Sequence, residues 1–471
     1  MKDHAPGLEA AFPSDLEEAA YRIEAIEGEV PPAIRGVYYL NGPALFRRGE
    51  ERQRHWLDGD GMVCSLGFKE DGVHFANRFV RSEKFRREEE AGRFLYRTFG
   101  TSFPGDRLER GIGLASPVNV SIYPFAGKLL AFGEQGLPWE LDPLTLETRG
   151  QHTFGRRLNP VSPFAAHPNF DPQSGEMFNF GISFSPRRPC LHLYRFAADG
   201  ALLSRRRLEI DLPRSVHDFG LSPSYAVFYL APYILDMEGL MEDGSTLLEA
   251  LKWRPEHGSR LLLADRLSGE AVADLPIGEA YCLHLIACFE AQGRLFVDVL
   301  EMDRPVYDQY LLPDRLFEDV RRARPVRYRI DASARRLEER TVLDSSHMGD
   351  FPVVDPRKGQ EDYGDFWYLG ISATEEPGRK FFDELIHCSW RQRQAVATYR
   401  APDRQYLCGE PVFMPYPGED GGALICQCFD ASSGSGSFLL FDAFSIGDGP
   451  MARLHLDRPI HLGFHSCFRP D

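Results

Sequence analysis

FAAHPNFDP, residues Phe164–Pro172, sets one histidine, His167, between two small apolar residues and a proline. No residue close to it in sequence can complete a chelate. Three other histidines with unusual surroundings, His217, His284 and His465, are spread over most of the 471-residue chain. If the four converge, the fold must bring four distant segments to one point. A single histidine is more often structural than a ligand, so the residues alone leave a metal site and four ordinary histidines both open.

The surroundings of these four distinguish them from the rest of the fourteen histidines. His167 lies in a stiff turn with no competing charge, and His217 lies in RSVHDFGLS. His284 lies in EAYCLHLIACFE, a segment too apolar to need a histidine for solubility. His465 lies in LGFHSCF near the end of the chain, where a ligand would tie down the last strand.

Composition excludes several classes of function. The net charge of −16 argues against a nucleic-acid surface, which needs a basic stripe. The nine cysteines are odd in number and form no Cys-x-x-Cys, so we expect reduced, buried thiols in a cytoplasmic protein. The acidic N-terminus lacks the basic start and apolar core of a signal peptide, and no apolar run of about 18 residues predicts a membrane span.

Short apolar segments joined by turns that contain Gly, Asp or Ser recur along the chain and predict antiparallel hairpins. The clearest pairs are MVCSLGF with VHFANRFV, SIYPF with KLLAFGE, LHLYRFA with ALLSRRRLEI, RLLLADR with EAVADLPI, VRYRIDA with RLEERTVL, and ALICQCFDA with SFLLFDA. Helix signals are few, and they lie at Leu16–Tyr21, Lys84–Gly92 (expected as a solvated face), Ser222–Met241, Ser245–Trp253 and Pro313–Ala323.

This pattern predicts an all-β fold, because a parallel α/β sheet needs helices between its strands. Stacked sandwiches and a propeller both satisfy it, and no clean repeat of about 40 residues decides between them. A propeller also explains how histidines far apart in sequence could meet. Its inner strands point at a common axis, so distant blades can each offer one side chain to a central site. We expect an N-terminal arm over residues 1–35 and one domain over residues 36–471.

The four histidine segments, in this order, resemble the four histidine motifs of the carotenoid cleavage oxygenases. This family includes carotenoid and apocarotenoid dioxygenases, the retinal pigment epithelium isomerase and the lignostilbene dioxygenases. The resemblance runs in collinear order over nearly the whole chain. It extends to HWLDGDGM (His55–Met62) with NRFVRSEKF (Asn77–Phe85), GLPWELDPLTLET (Gly136–Thr148), WRPEHGSR (Trp253–Arg260) and GEPVFMP (Gly409–Pro415).

The resemblance implies a seven-bladed β-propeller with a loop-and-helix cap over an axial Fe(2+) ion. The ligands it implies are His167, His217, His284 and His465. The family also uses three glutamates that bind the ligating histidines from outside, and these fall on Glu134, Asp350 and Glu410. Asp350 departs from the pattern, because it is one methylene shorter than the usual glutamate.

The resemblance also implies residues that contact the substrate. Val120 falls where the family often has a threonine or similar small residue facing an open iron position. Leu283 and Phe464 immediately precede two of the histidines and are expected to line a tunnel. The stilbene-cleaving branch carries a phenol-binding lysine directly before the first outer glutamate, where this chain has Gly133, which counts against a phenolic stilbene.

The activity implied is that of an Fe(2+) dioxygenase, which inserts both atoms of dioxygen into one C=C bond of a carotenoid or apocarotenoid and yields two carbonyl products. The alternatives are a dioxygenase acting on a stilbenoid or phenylpropanoid alkene, and a non-catalytic propeller that binds a partner. We expect no nucleic acid and no obligate protein partner. Ala231–Met241 falls where the family often has an apolar patch that dips into membranes, and an ordinary buried helix fits it equally well.

Overall fold

Alternating and continuous apolar runs rich in Val, Ile, Leu, Phe and Tyr form short antiparallel strands throughout the chain. A computed structural model describes residues 2–13, 15–108, 115–185, 187–240, 244–344 and 347–471. Within these residues strands greatly outnumber helices, as the sequence pattern predicts.

The strands in the first third of the chain are β1 (Ala19–Arg22), β2 (Ile26–Gly28), β3 (Gly36–Leu45), β4 (Arg47–Arg48), β5 (Glu51–Arg52), β6 (Asp60–Lys69), β7 (Gly72–Phe79), β8 (Ser121–Phe125), β9 (Lys128–Phe132), β10 (Trp139–Leu141) and β11 (Thr148–Gln151). The next are β12 (Asn169–Phe170), β13 (Met177–Ser183), β14 (Cys190–Phe196), β15 (Leu202–Glu209), β16 (Phe219–Leu221), β17 (Tyr225–Leu230), β18 (Tyr233–Leu235), β19 (Leu251–Trp253), β20 (Ser259–Asp265) and β21 (Ala271–Gly278). The remaining strands are β22 (Tyr281–Ala291), β23 (Arg294–Met302), β24 (Ala323–Asp331), β25 (Arg336–Val342), β26 (Met348–Val354), β27 (Asp365–Ile371), β28 (Glu384–Ser389), β29 (Gln394–Arg400), β30 (Gln405–Pro415), β31 (Gly422–Asp430), β32 (Ser435–Asp442), β33 (Ala452–His455) and β34 (Ser466–Pro470).

The helices are short. The α-helices are α1 (Glu83–Ala91), α2 (Met237–Leu240) and α3 (Leu247–Ala250). Single 3-10 turns occur at Leu8–Ala11, Trp56–Asp58, Pro255–His257, Tyr307–Gln309 and Ile446–Asp448.

Seven sheets of four or five strands form a seven-bladed β-propeller, which confirms the predicted fold and excludes the sandwich alternative. Five blades are four-stranded: β8 to β11, β12 to β15, β16-β17-β20-β21, β22 to β25, and β26 to β29. The first blade has the strand order β34-β3-β6-β7-β1, and the seventh has the order β30-β31-β32-β33-β2. The last strand of the chain therefore pairs with β3 and closes the ring.

The arm expected over residues 1–35 contributes a strand to each of two blades. Ala19 pairs with Asn77 at the edge of the first blade, and Ile26 pairs with Leu454 at the edge of the seventh. The helix predicted at Leu16–Tyr21 is wrong, because β1 satisfies the open backbone groups of β7 instead.

All six predicted hairpins are confirmed as the pairs β6–β7, β8–β9, β14–β15, β20–β21, β24–β25 and β31–β32. Of the other helix predictions, α1 confirms one, and α3 confirms part of the one over Ser245–Trp253, whose last three residues form β19 instead. Ser222–Met241 is mainly strand, with α2 near its end. Turns replace most of the helix predicted at Pro313–Ala323, and Ala323 begins β24. A helix is prevented because Phe317 adopts a left-handed φ of 51° and buries its ring against Trp56.

The segment from Ala231 to Leu240 lies between β17 and β20 and packs inward. Tyr233, Leu235 and Leu240 are buried in the largest core cluster, which favours the buried alternative for this segment. Met241 lies outside the described residues. Among the described residues, no helix is both long enough and apolar enough to cross a membrane. Peripheral membrane contact and a cytoplasmic location stay predictions.

Helix α1 shows why a highly charged segment can lie partly buried. Ser82 caps its first turn by accepting the Phe85 N–H, and Gly92 ends it with a left-handed φ of 64°. Lys84 is buried between Asp60, at 2.7 Å, and Glu88, at 2.8 Å, so the expectation of a wholly solvated face is wrong. Burial lowers the pKa of Lys84, but the two carboxylates outweigh it and hold that pKa above its ordinary value.

Replacing Lys84 by Met tests this buried cluster. The substitution removes the ammonium and leaves Arg48 as the one described cation beside two buried carboxylates. We therefore expect a loss of about 3 kcal/mol in the free energy of unfolding, measured by urea denaturation. Arg87→Met is the matched control, because Arg87 pairs with Glu83 on the exposed face of the same helix. Equal stability losses for the two variants would contradict a structural role for the buried cluster.

Candidate metal centre

The turn that carries His167 is fixed from both sides. The Ala165 N–H donates to the Phe180 carbonyl at 2.8 Å, and Asn179 Nδ2 donates to the Ala165 carbonyl at 2.9 Å. The Ser121 hydroxyl donates to the carbonyl of Ala166, the residue before the histidine. These bonds join the turn to its own blade and to the preceding one, so His167 projects from rigid backbone.

The other three histidines lie at the starts of strands or at an irregularity. His217 lies two residues before β16. His284 lies within β22, where the register with β23 shifts between Cys282 and Leu285. His465 directly precedes β34, its N–H donates to the Val120 carbonyl at 3.1 Å, and its carbonyl accepts the Asn41 N–H at 3.0 Å.

The structure brings the four predicted histidines together. One ring nitrogen from each lies within 4.8 Å of the others. His167 Nε2 is 2.9 Å from His217 Nε2, which is 3.2 Å from His284 Nε2. All four side chains are buried, at 7%, 8%, 5% and 3% exposed for His167, His217, His284 and His465.

Two of the three predicted outer carboxylates bind a histidine directly. His217 Nδ1 lies 2.8 Å from Glu134 Oε2, and His284 Nδ1 lies 2.6 Å from Asp350 Oδ1. Asp350 reaches its histidine despite the shorter side chain, because a register shift in β26 and a left-handed φ of 56° at Phe351 reshape the strand there. Glu410 Oε2 is farther from His465 Nδ1, at 3.4 Å, and accepts the Ser466 N–H at 3.2 Å.

This arrangement suits a cation. An imidazole that donates its Nδ1 proton to a carboxylate keeps a lone pair on Nε2. The lone pairs of His217 and His284 then face each other at 3.2 Å, which is repulsive unless a cation lies between them. Four imidazoles form a donor set suited to iron or another transition metal, so the residues present fit the ion that the family resemblance implies.

Electrostatics within the cluster differ from residue to residue. Burial and the neighbouring imidazoles hold the pKa of His167 and His465 well below the usual value, so these rings are neutral donors. Burial also lowers the pKa of His284, but the Asp350 carboxylate outweighs it and raises that pKa. Burial raises the pKa of Glu410 to about 7.

Two neighbouring cavities, of about 60 and 40 Å³, lie beside the histidine cluster. They share walls formed by Phe99, Glu134, Gln135 and Leu247. Their lining is mostly apolar. Glu134, whose carboxylate binds His217, forms part of the wall of both cavities. An apolar substrate suits such walls better than a charged one does.

The three predicted substrate residues differ in their placement. Val120 lines the smaller cavity. Leu283 and Phe464 lie outside the walls of both cavities, buried at 3% and 4% exposure, and Phe464 packs on Trp56 with ring centroids 4.6 Å apart. Their contact with substrate stays a prediction.

Sequence reasoning missed two aromatic residues beside the site. Tyr307, on a 3-10 turn, lines the larger cavity, and its ring centroid lies 6.3 Å from that of His217. Phe351 packs against the rings of His284 and His465, with centroids 5.5 and 5.3 Å apart. Phe351 directly follows Asp350 and could have been found by that adjacency, whereas no local signal distinguishes Tyr307.

Gly133 stands where the lysine of the stilbene-cleaving branch would be, and the Ser116 hydroxyl lies close to where a Cβ of residue 133 would be. A Cβ at residue 133 would lie 1.9 Å from Ser116 Oγ. Ser116 is itself held, since its hydroxyl accepts the Val118 N–H at 3.3 Å, and it lines the smaller cavity.

Known proteins resemble this chain over nearly its full length. The family model for retinal pigment epithelial membrane protein matches residues 11–470. Apocarotenoid-15,15'-oxygenase of Synechocystis sp. is 28% identical, with 97% of this chain and 95% of that protein covered. Isoeugenol monooxygenase of Pseudomonas putida is 26% identical, with 97% and 96% covered. The solved structure of cobalt-substituted Synechocystis apocarotenoid oxygenase aligns with a TM-score of 0.91 at 25% identity, covering 100% of both chains.

The fit between Ser116 and Gly133 can be tested by a double-mutant cycle. We expect Gly133→Ala to cost about 1–2 kcal/mol of stability in urea denaturation, because Ser116 must rotate and give up its bond to Val118. In the Ser116→Ala background the hydroxyl is absent, and the same change should cost much less. Equal costs in the two backgrounds would show that Ser116 does not fill this space.

Proposed function

We propose that this chain, which belongs to the family of retinal pigment epithelial membrane protein and the carotenoid oxygenases, is an Fe(II) dioxygenase that cleaves one C=C bond of a carotenoid or apocarotenoid. The observation that carries the proposal is the convergence of four buried imidazoles from four blades, two of them bound from outside by carboxylates. Homologues over the whole chain are named oxygenases and dioxygenases, which supports a catalytic role over a purely binding one.

The geometry of the histidine cluster supports the ligand assignment. His167, His217, His284 and His465 would hold the metal through their inward nitrogens. Glu134 and Asp350 orient two of these rings, and the half-buried Glu410 orients the backbone after His465 through the Ser466 N–H. Outer partners of this kind fix the ring and raise its basicity as a ligand.

The reaction is an addition and scission that needs no proton. One alkene and one dioxygen give two carbonyl compounds, with one oxygen atom in each. Ferrous iron, when bound, would supply the open-shell chemistry that lets dioxygen react with an alkene. The protein has to bind the double bond beside the metal, orient it and exclude water. This agrees with cavities whose described lining residues are mostly apolar and include no histidine.

Position 133 supports the apocarotenoid substrate. A phenol-binding lysine is absent there, and the Ser116 hydroxyl occupies the position of a Cβ at residue 133. The cavity walls are mainly Phe, Leu, Val, Ala and Pro side chains, which suit a polyene. Val120, Leu283 and Phe464 are proposed to form the wall nearest the reacting bond.

A phenylpropanoid or stilbenoid alkene is the second candidate. It is favoured by the likeness to isoeugenol monooxygenase over 97% of this chain and to lignostilbene-alpha,beta-dioxygenase isozyme III of Sphingomonas paucimobilis over 94%. Tyr307, which lines the larger cavity, is a side chain whose hydroxyl suits a phenolic substrate.

The metal assignment predicts the iron content of purified protein. His284→Ala should remove most of the bound iron and with it the cleavage activity, because one ligand and its Asp350 bond are lost. Metal analysis and oxygen consumption measure the two effects. His387→Ala is the matched control, since this buried histidine binds Asp365 in another blade. Full iron occupancy in His284→Ala would contradict the assignment of the four histidines as metal ligands.

The substrate is decided by product analysis. Iron-loaded protein is incubated separately with an apocarotenal, isoeugenol and a hydroxystilbene, and the aldehydes are identified by mass spectrometry. We expect cleavage of the apocarotenal at a rate at least tenfold above the other two. Cleavage of only the phenolic alkenes would establish the second candidate instead.

A further inference from the structure

Asp218 directly follows His217 and binds two backbone groups at once. Its Oδ1 accepts the Phe219 N–H at 2.7 Å, and its Oδ2 accepts the Leu285 N–H at 2.8 Å. Leu285 directly follows His284. One carboxylate therefore joins the residue after one candidate ligand to the residue after another, across the boundary between the fourth and fifth blades.

The backbone at His284 needs such a support. β22 pairs with β23 at Cys282 and again at Leu285, but Leu283 and His284 have no register partner between them. The ladder is interrupted where the histidine projects, so β23 does not set its position. The Leu285 N–H at the end of this interruption is bound by Asp218, and the fourth blade thereby fixes where the ladder resumes.

We propose that Asp218 is a positioning residue that sets the separation of His217 and His284. The two Nε2 atoms are only 3.2 Å apart, and rings can stay this close only if the backbone segment that carries each of them is held. Asp218 holds both segments through one rigid carboxylate, while Glu134 and Asp350 fix only the rotation of each ring. The inference rests on the proposed metal site and adds a residue that touches neither metal nor substrate.

The chain offers a matched control at the same blade boundary. Glu290, six residues beyond His284 on β22, accepts the Ser222 hydroxyl and the Ser224 N–H through Oε1, each at 2.7 Å. Like Asp218, it is a carboxylate that joins the fourth blade to the fifth. It lies at the other end of the strand pair, away from the histidines.

The test compares Asp218→Asn with Glu290→Gln in the full-length, metal-free protein titrated with Co(II), whose visible spectrum reports ligand geometry. We expect Asp218→Asn to weaken Co(II) binding about 10–100-fold and to shift the absorption bands. The side-chain amide has only one oxygen, so its NH₂ group would face either the Phe219 N–H or the Leu285 N–H, and one of the two hydrogen bonds would be lost. Glu290→Gln should bind Co(II) within twofold of the unaltered protein, with the same spectrum. Both variants should lower the thermal midpoint of the metal-free protein to a similar extent.

The outcomes separate this inference from the proposed function. If the unaltered chain binds no Co(II), the metal site fails and the inference with it. If it binds Co(II) and Asp218→Asn matches it in affinity and spectrum, the inference alone is overturned. Equal losses of affinity in Asp218→Asn and Glu290→Gln would likewise overturn it, because the effect would then be general to this blade boundary.

A second variant covers a failure of Asp218→Asn to fold. Asp218→Glu keeps the charge and moves the carboxylate by one methylene. A positioning role predicts a shifted Co(II) spectrum with a smaller loss of affinity than the amide variant would show. An unchanged spectrum and affinity in Asp218→Glu would overturn the proposal.

Discussion

Pairing of β34 with β3 is the interaction on which the rest of the structure depends. These strands lie more than 400 residues apart and pair from Gly36 with Pro470 to Leu40 with Ser466. This register closes the circle of blades and puts His465 next to the other three histidines. Asn41 strengthens the junction, since its backbone binds His465 and Phe464 and its side chain binds the carbonyls of Val118 and Ser121. Without closure, a four-histidine centre has only three members.

Much of the fold could be predicted because most of its strand pairs produce a local sequence pattern. Hairpins join neighbouring segments, so apolar runs and turn residues suffice to place them. The edge strands were missed for the opposite reason. β1 has its partner 58 residues away, and β2 pairs with β33 more than 400 residues away, so neither carries a local signal beyond four or fewer modestly apolar residues. The mistaken helix at Pro313–Ala323 has the same origin, since the aromatic packing of Phe317 overrides its local pattern.

The residues of the candidate site likewise fall into those that the sequence predicted and those that only the structure revealed. The four histidines stand in segments with distinctive sequence, Glu134 is assigned through the family resemblance alone, and the structure brings all five together. Whether Asp350 reaches His284 depends on an irregularity in β26 and on one residue with a left-handed backbone, Phe351. The length of the Asp350 side chain predicts neither feature. Cavity walls are set by loops that meet from separate blades, and Phe99 and Tyr307 therefore emerged only from the packing.

Ring closure also makes the histidine cluster sensitive to damage far from it. His465 is held in place by the pairing of β34 with β3, two strands from opposite ends of the sequence. His167, His217 and His284 belong to blades whose strands each come from one stretch of the chain. A substitution that separates β34 from β3 would therefore displace one of the four histidines and leave the other three where they are. Residues on the outer face of β3, far from the four imidazoles, thus share control of the geometry of the cluster.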